Sequence, residues 1–260
     1  PPPADGLVAW WRGEDNANDS VGGNHGTLLS GADFDNGVDG RAFNLNGASQ
    51  SVAVPDGIIA SSARNYTVSA WVYANSVSGD QVIYYGGANT GEYELAMWDG
   101  KLFFYVNLQS SGGRSAMSQS AIAGGAWHFV SGVRRGTVIE IWVDGILQAS
   151  TPIPDEDLLI ATWNPGGFPS RIGAYHHDIQ GDKYCWNGRI DEVKIFHRAL
   201  SAEEIAALAG IVPNGFRFAP RTGMPRSSQV VSDSVFAEGI TAAVPISVTN
   251  GEYRINGGEW

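Results

Sequence analysis

The sequence predicts an all-β domain built as a large two-sheet antiparallel jelly-roll sandwich, and three observations carry that expectation. Short stretches of alternating β-branched and aromatic residues recur between clusters of Gly, Asn and Asp. Two Asp-Gly pairs, Asp99-Gly100 and Asp144-Gly145, each sit between two such stretches, where tolerance of positive φ suits a tight hairpin turn. Composition agrees: 34 glycines, 9 tryptophans, 43% apolar and only 17% charged residues describe many turns joining aromatic-rich strands.

In chain order the expected strands are residues 7–11, 42–45, 51–54, 66–73 and 81–85. Residues 93–97 and 101–107 flank Trp98-Asp99-Gly100, 127–134 stand alone, 139–143 and 146–149 flank Asp144-Gly145, and 189–196 close the series. That count, about a dozen, exceeds an immunoglobulin domain and suits a large jelly roll. One helix is expected: Ser201-Ala202-Glu203-Glu204 is a capping box, Ile205 and Leu208 share a face, and Gly210 is a stop.

Texture changes at Val212-Pro213-Asn214-Gly215. Residues 212–260 carry four bases (Arg217, Arg221, Arg226, Arg254) against four acids (Asp233, Glu238, Glu252, Glu259), so the acidity belongs to the earlier part. Residues 1–211 are therefore expected to form the jelly roll, and 212–260 a linker and the start of a second β-domain.

Charge excludes some partners. With 27 acids against 16 bases the net charge is -11, which repels phosphate backbones and anionic lipid and leaves no basic stripe for nucleic acid. No apolar run approaches the ~18–20 residues that span a bilayer, so membrane insertion is not expected. The single cysteine, Cys185, forms no internal disulfide and reads as a buried filler beside Trp186. Beginning at Pro1 without an initiator Met, the chain reads as a piece of a longer exported protein, with neighbouring domains as partners.

Five blocks now carry a resemblance: GLVAWWRGEDNANDSVGGNHGTL (residues 6–28), GRAFNLNGASQSVAVPD (40–56), YTVSAWVY (66–73), WHFVSGVRRGTVIEIWVDG (127–145) and GRIDEVKIFHRALSAEEIAAL (188–208). In that order they resemble the bacterial laminin-G-like, concanavalin-A-like jelly-roll superfamily. The resemblance implies a sandwich used for carbohydrate recognition, adhesion or accessory roles beside enzymes, in a secreted or cell-surface bacterial protein. The tail, ending ITAAVPISVTNGEYRINGGEW, resembles the start of an immunoglobulin-like bacterial surface repeat. In a bacterial setting the sequons at Asn18 and Asn65 carry no role.

Proteins resembling this one hold an ion where the N-terminal loop meets the penultimate strand. Here that implies calcium on Asp19, Asn24 and Asp191, with Glu14 and backbone oxygens of Gly13 and His25. Calcium takes 6–8 oxygen ligands, and the residues between Gly13 and Gly26 are dense in hard oxygens and turn glycines. The competing reading is that these acids only cap their own backbone in Asx turns. Zinc is not expected, because Cys185 is alone and the adjacent His176 and His177 point to opposite faces of a strand.

An extracellular polysaccharide or glycoconjugate would need exposed rings with polar neighbours, since pyranose faces stack on aromatics while hydroxyls need fixed donors and acceptors. The candidates are Trp98, Tyr84, Tyr85, Trp163, Tyr175, His176 and Asp178. Trp10, Trp71, Trp127, Trp142 and Trp186 lie inside strand blocks and are expected in the core. Glycosidase chemistry would need a carboxylate pair, and Glu92 with Glu94 share a strand face, but the Glu-x-Asp-x-x-Glu arrangement of related glucanases is absent. The expectation is thus a non-catalytic, calcium-stabilised, carbohydrate-binding adhesion module, with a purely structural spacer and a polysaccharide-degrading enzyme as the rivals.

Overall fold

The computed structural model describes residues 5–87, 91–160, 169–177 and 181–210. The chain divides between Ala209 and Gly210, and the expected immunoglobulin-like segment lies outside the described residues, as do Trp163 and Asp178.

The described part is a nearly all-β sandwich of two antiparallel sheets with one helix. In chain order the strands are β1 (Leu7–Trp11), β2 (Thr27–Leu29), β3 (Asp33–Asn36), β4 (Arg41–Asn46), β5 (Ser51–Ala53), β6 (Asn65–Ala74), β7 (Asp80–Gly86), β8 (Tyr93–Trp98) and β9 (Lys101–Leu108). There follow β10 (Gly112–Met117), β11 (Trp127–Arg135), β12 (Val138–Val143), β13 (Ile146–Pro152), β14 (Arg171–Ile172), β15 (Tyr175–His177), β16 (Gly181–Lys183) and β17 (Asn187–Phe196), then α1 (Ala202–Leu208). The first sheet runs β13-β12-β11-β6-β17-β4-β3, with β1 also paired to β17; the second runs β10-β9-β8-β7-β14-β5-β2. The hairpin β15-β16 stands apart.

Alternation decides which side chains meet between the sheets. In β6, Tyr66, Val68, Ala70, Val72 and Ala74 enter the core, and in β9 Leu102, Phe104, Val106 and Leu108 meet them. Aromatic rings cross the gap in sequence: Trp11 to Tyr84 at 6.2 Å, Tyr84 to Tyr93 at 5.9 Å, Tyr93 to Tyr66 at 5.3 Å and Tyr66 to Phe104 at 6.0 Å. These centroid separations suit favourable ring pairs.

Both Asp-Gly turns form as the sequence predicts. Asp99 and Gly100 take φ of 46° and 80°, and Asp144 and Gly145 take 48° and 71°, the left-handed pair that a two-residue hairpin requires. The helix begins as expected too: Ser201 Oγ accepts from the Glu204 N–H at 3.3 Å while Glu204 Oε2 accepts from the Ser201 N–H at 2.9 Å.

One expectation is corrected. Trp11 and Trp186 are core residues and Trp142 is buried as well, though outside the inter-sheet cluster, but Trp10, Trp71 and Trp127 are only partly buried and not part of the core. Trp71 lies between the core-facing Ala70 and Val72, so it projects from the opposite face of the first sheet. There the rings meet other outward groups: Trp71 packs on Phe129 at 5.6 Å, Trp127 on Tyr73 at 5.7 Å, and Lys194 Nζ sits 4.7 Å from the Trp10 ring. Alternation, not hydrophobicity, sorts the tryptophans.

Two predictions follow from these contacts. Gly188 has φ of 143°, and a Cβ there would lie 2.0 Å from the Tyr73 carbonyl oxygen. Gly188→Ala is expected to lower unfolding free energy by more than ~1 kcal/mol in urea denaturation. His128 Nδ1 lies 2.8 Å from Asp144 Oδ2, a bond that raises the histidine's pKa against the opposing effect of burial. A raised folded value means the stabilisation is complete below the ordinary histidine range and fades as pH rises through the folded value. Wild type should therefore lose stability relative to His128→Gln as pH increases, and parallel pH profiles would remove this role.

Candidate functional site

The predicted metal set is divided by the fold. Asp19 belongs to a loop that closes on itself: its carboxylate accepts from the N–H groups of Trp10 (2.9 Å), Val21 (3.0 Å) and Asn24 (3.1 Å), and from Asn24 Nδ2 (3.0 Å). His25 Nδ1 accepts from the Asp19 N–H at 3.2 Å, and Asn24 O accepts from Trp11 Nε1 at 2.8 Å. Burial raises the pKa of Asp19, but the backbone bonds and Asn24 together outweigh it and hold the carboxyl below its ordinary value.

Asp191 lies elsewhere. Asp19 bridges one edge of β1 at Trp11 and Val193 of β17 pairs with the other, so two strand spacings, about 9.5 Å, separate Asp19 from Val193, and Asp191 lies two residues further along β17. Asp191 sits where β17 changes partner, from β4 at Asn187 to Ile190 to β1 at Val193 to Phe196. Its Oδ2 accepts from the N–H groups of Val38 (2.8 Å) and Asp39 (3.2 Å), capping the turn between β3 and β4. Glu14 reaches the same turn, with Oε2 accepting from the Arg41 N–H at 3.3 Å. Gly13 O accepts from the Asp15 N–H at 2.9 Å. The structure thus brings Asp19, Asn24 and His25 together and groups Asp191 with Glu14. Among the described residues no three His, Cys, Asp or Glu side chains gather into a metal centre.

One atom in this region is unexplained. Asp191 is fully buried, yet its Oδ1 has no hydrogen-bond partner. Burial, reinforced by Glu192 and opposed by the turn N–H groups, pushes the carboxyl up to about 7. A buried carboxylate oxygen facing no donor is a fitting place for a hard cation. Gly37 is packed against the other oxygen, where a Cβ would fall 2.5 Å from Asp191 Oδ2, so the turn that Oδ2 caps has no room for a side chain there.

The second candidate region is the outward face of the second sheet. In β8 Tyr93, Leu95 and Met97 enter the core, which turns Glu94, Ala96 and Trp98 outward. Opposite them in register stand Tyr105, Phe103 and Lys101 of β9, and Tyr85, Val82 and Asp80 of β7. Trp98 is 53% exposed and has no ring or cation partner among the described residues. Asp80, paired with Trp98, lines an open polar cleft of about 420 Å³ together with Ser76, Gln81, Asp182, Lys183 and Tyr184. Tyr184 is also 53% exposed, holds φ of 50°, and is anchored by its carbonyl to the Val82 N–H at 2.8 Å. A tyrosine kept in the left-handed region stores strain, as functional surfaces often do.

Other predicted sugar contacts are corrected. Tyr84 is a core residue, 1% exposed between Trp11 and Tyr93. Tyr85 does point to the outward face, but Tyr175 covers it at 4.7 Å, so neither adjacent tyrosine offers a free ring. Tyr175 is half-buried there, and His176 is tied to Asp182 at 2.5 Å. Tyr184 and the Asp80 rim were missed by sequence reasoning. The positive φ of Tyr184 leaves no mark in the sequence, and the cleft is made by β16 and the β6–β7 connection, remote in the chain.

Glu92 and Glu94 lie on this face. Burial pushes Glu94 up to about 8, with Glu92 and Asp80 adding to it, and burial also raises Glu92 against its bonds from Asn107 (2.7 Å) and Tyr85.

With the sandwich and its faces in view, the comparison with known proteins is decisive for family: residues 46–206 match the model described as concanavalin A-like lectin/glucanases superfamily (Laminin_G_3). The chain belongs to this superfamily. No curated protein sequence matches it. Among solved structures, domain 4 of AbnA, a GH43 extracellular arabinanase from Geobacillus stearothermophilus in complex with arabinotriose, superposes with a TM-score of 0.64 at 21% identity, over 78% of this chain and 98% of that one. The binding domain of Paraclostridial Mosquitocidal Protein 1 gives 0.64 at 17% identity over 79% of this chain, and the binding domain of botulinum neurotoxin DC in complex with SialylT gives 0.61 at 14% over 80%. This superfamily member spans about half of those two toxin domains, 52% and 53%. At these identities the likeness is one of fold.

The loop around Asp19 yields a prediction. Asp19→Ala would leave the N–H groups of Trp10, Val21 and Asn24 without their acceptor; these bonds are part-buried and water can reach Val21, so a total loss of about 1–3 kcal/mol is expected. A fall in melting temperature is expected, and an unchanged value would mean the loop is not held by this carboxylate.

Proposed function

We propose that this domain is a non-catalytic carbohydrate-binding module of a secreted or surface-displayed multidomain protein, and that its glycan lies on the outward face of the second sheet. The observation that carries the reading is a pair of exposed rings: Tyr184 lines the polar cleft, and Trp98 stands in register with Asp80, another residue of its lining. On the first sheet, by contrast, Arg189 lies over Tyr73 at 3.9 Å and Lys194 over Trp10 at 4.7 Å, so those ring faces are already taken. Support also comes from fold relatives described as an arabinotriose complex, from an extracellular enzyme, and as a SialylT complex. No helix among the described residues is long and apolar enough to cross a membrane. A spacer role would give no use to uncovered aromatics beside fixed polar groups.

Calcium is the second part of this reading. Asp191 Oδ1 and the Glu14 carboxylate would hold it against the β3–β4 turn, and its charge would balance the buried carboxyl. Asp19 and Asn24 would support the neighbouring loop without touching the ion. The ion would supply stability and no chemistry.

Two experiments test these parts. In affinity electrophoresis through arabinan, Trp98→Ala and Tyr184→Ala should each weaken retardation by roughly tenfold, the size of one lost aromatic contact, with melting unchanged because both rings are exposed. Unaltered retardation in both variants would move the site elsewhere. For the ion, a hundredfold excess of calcium over its Kd should stabilise wild type by ~2.7 kcal/mol relative to EDTA. Asp191→Asn should abolish that difference. Equal melting in both buffers, with no calcium by elemental analysis, overturns the metal.

A further inference from the structure

Arg134 is a buried cation that no carboxylate answers among the described residues. On β11 it stands opposite Tyr66 of β6 and Ile139 of β12, and alternation from the core-facing Val130 turns it between the sheets. Arg134 and Tyr66 are both wholly buried. Two nitrogens of the guanidinium bond to main chain: Nη2 donates to the Glu156 carbonyl at 2.7 Å and Nε to the Gly136 carbonyl at 3.4 Å. Nη1 has no acceptor, and the Tyr66 hydroxyl has no partner either. Burial raises the pKa of the phenol and Arg134 opposes that rise, yet no N–H of Arg134 meets Tyr66 Oη with hydrogen-bond geometry.

The carboxylates nearby are engaged by other groups. Arg64 pairs with Asp155 and, at 2.8 Å, with Asp157, while Glu156 accepts from the N–H groups of Ser110 and Ser111 at 3.0 Å. Other arginines of the domain do meet an acid: Arg171 lies 3.4 Å from Asp182, and Arg198 lies 2.6 Å from Glu204. Burial lowers the pKa of Arg134, and the positive charge of Arg64 adds to that.

We infer that a small monatomic anion, chloride, is held by Arg134 Nη1 and Tyr66 Oη, and that it stabilises the end of the sandwich where β6 and β11 meet the 153–158 connection. A buried charge without a counter-charge is costly, and two buried donors without an acceptor add to the cost. One anion answers both. A water would accept from both groups but would bring two O–H donors of its own and no charge. Carboxylate, sulfate and phosphate carry more oxygens than two donor atoms satisfy, and the excess would be bare beside the Tyr93 and Phe104 rings, which pack on Tyr66 at 5.3 and 6.0 Å. A guanidinium stays protonated at any pH the fold survives, so the attraction is constant. The anion lies in the core and takes no part in the glycan face.

Urea denaturation of the whole chain, at fixed pH and ionic strength in mixtures of sodium chloride and sodium gluconate, tests the site. Above the Kd for chloride, the folding constant should rise about tenfold for each tenfold increase in chloride. Tyr66→Phe removes one donor that has no protein partner, so the variant should fold. It should need roughly tenfold more chloride for the same stabilisation, the size of one charge-assisted hydrogen bond. Crystals of wild type grown in sodium bromide should show an anomalous peak within hydrogen-bond reach of Arg134 Nη1 and Tyr66 Oη, a measurement that does not depend on the variant. Coincident curves in chloride and gluconate overturn the anion, as does a halide effect that Tyr66→Phe leaves unchanged. Density there without an anomalous signal is a water, and bromide bound there without any halide effect on stability is an adventitious ion only; either result overturns it too.

Discussion

The structure depends on one constraint: the last strand of the sandwich must be inserted into the middle of the first sheet. β17 pairs with β6 along one edge and, along the other, with β4 and then β1. The two ends of the domain are therefore joined by main-chain ladders, and the fold closes only when residues far apart in sequence have met. Where the second edge passes from β4 to β1 the ladder must break, and the register of β17 against β6 shifts between Asp191 and Lys194. Glu192 takes a positive φ of 54° there, and the side chains at the break are the ones that no strand neighbour can satisfy. Asp191 turns to the β3–β4 turn, Lys194 pairs with Glu192, and Arg12 reaches Glu192 at 3.4 Å. The cluster of charges is a consequence of the topology, and the unpartnered Oδ1 of Asp191 is what the main chain leaves over.

The same constraint sorts the two outward faces. On the first sheet, the segment leaving β17 crosses back over the strands, with Thr67 Oγ1 donating to the Arg198 carbonyl at 2.9 Å and accepting from the Leu200 N–H at 3.0 Å. Its aromatic rings are capped by Arg189, Arg12 and Lys194 from the central and neighbouring strands. Among the described residues the second sheet receives the short β15-β16 hairpin, which covers Tyr85, while Trp98 at the far end of β8 is exposed. Availability of ring faces, more than the number of aromatics, distinguishes the two surfaces.

Much of the fold is legible in the sequence because it is local. β6 and β9 announce themselves by alternation, the two Asp-Gly hairpins by turn chemistry, and α1 by its capping box. The strands that sequence reasoning passes over, β2, β3, β10, β14, β15 and β16, have 2 to 6 residues and few β-formers, as in Asp33–Asn36 and Gly112–Met117, and owe their form to a neighbouring strand. The site is less legible. An exposed tryptophan at a hairpin turn can be anticipated, as Trp98 was, but Tyr84 and Tyr85 look alike in sequence. Only the irregularity between Val82 and Tyr84 shows why the first of them faces the core and the second does not.

That irregularity bears on recognition. Without it, strict alternation from Val82 would place Tyr84 outward and Tyr85 inward, and Glu94 would lose the phenol that stands opposite it. The extra residue keeps Val82 and Tyr85 on one face, sets Tyr85 against Glu94, and gives Tyr175 a ring to rest on. The core gains Tyr84 as the link between Trp11 and Tyr93 by the same displacement. A single bulge thus ties the aromatic column that joins the sheets to the floor of the face proposed for ligand. A substitution that straightened β7 would disturb both, so the packing of the core and the chemistry around Glu94 are set by one local departure from the strand repeat.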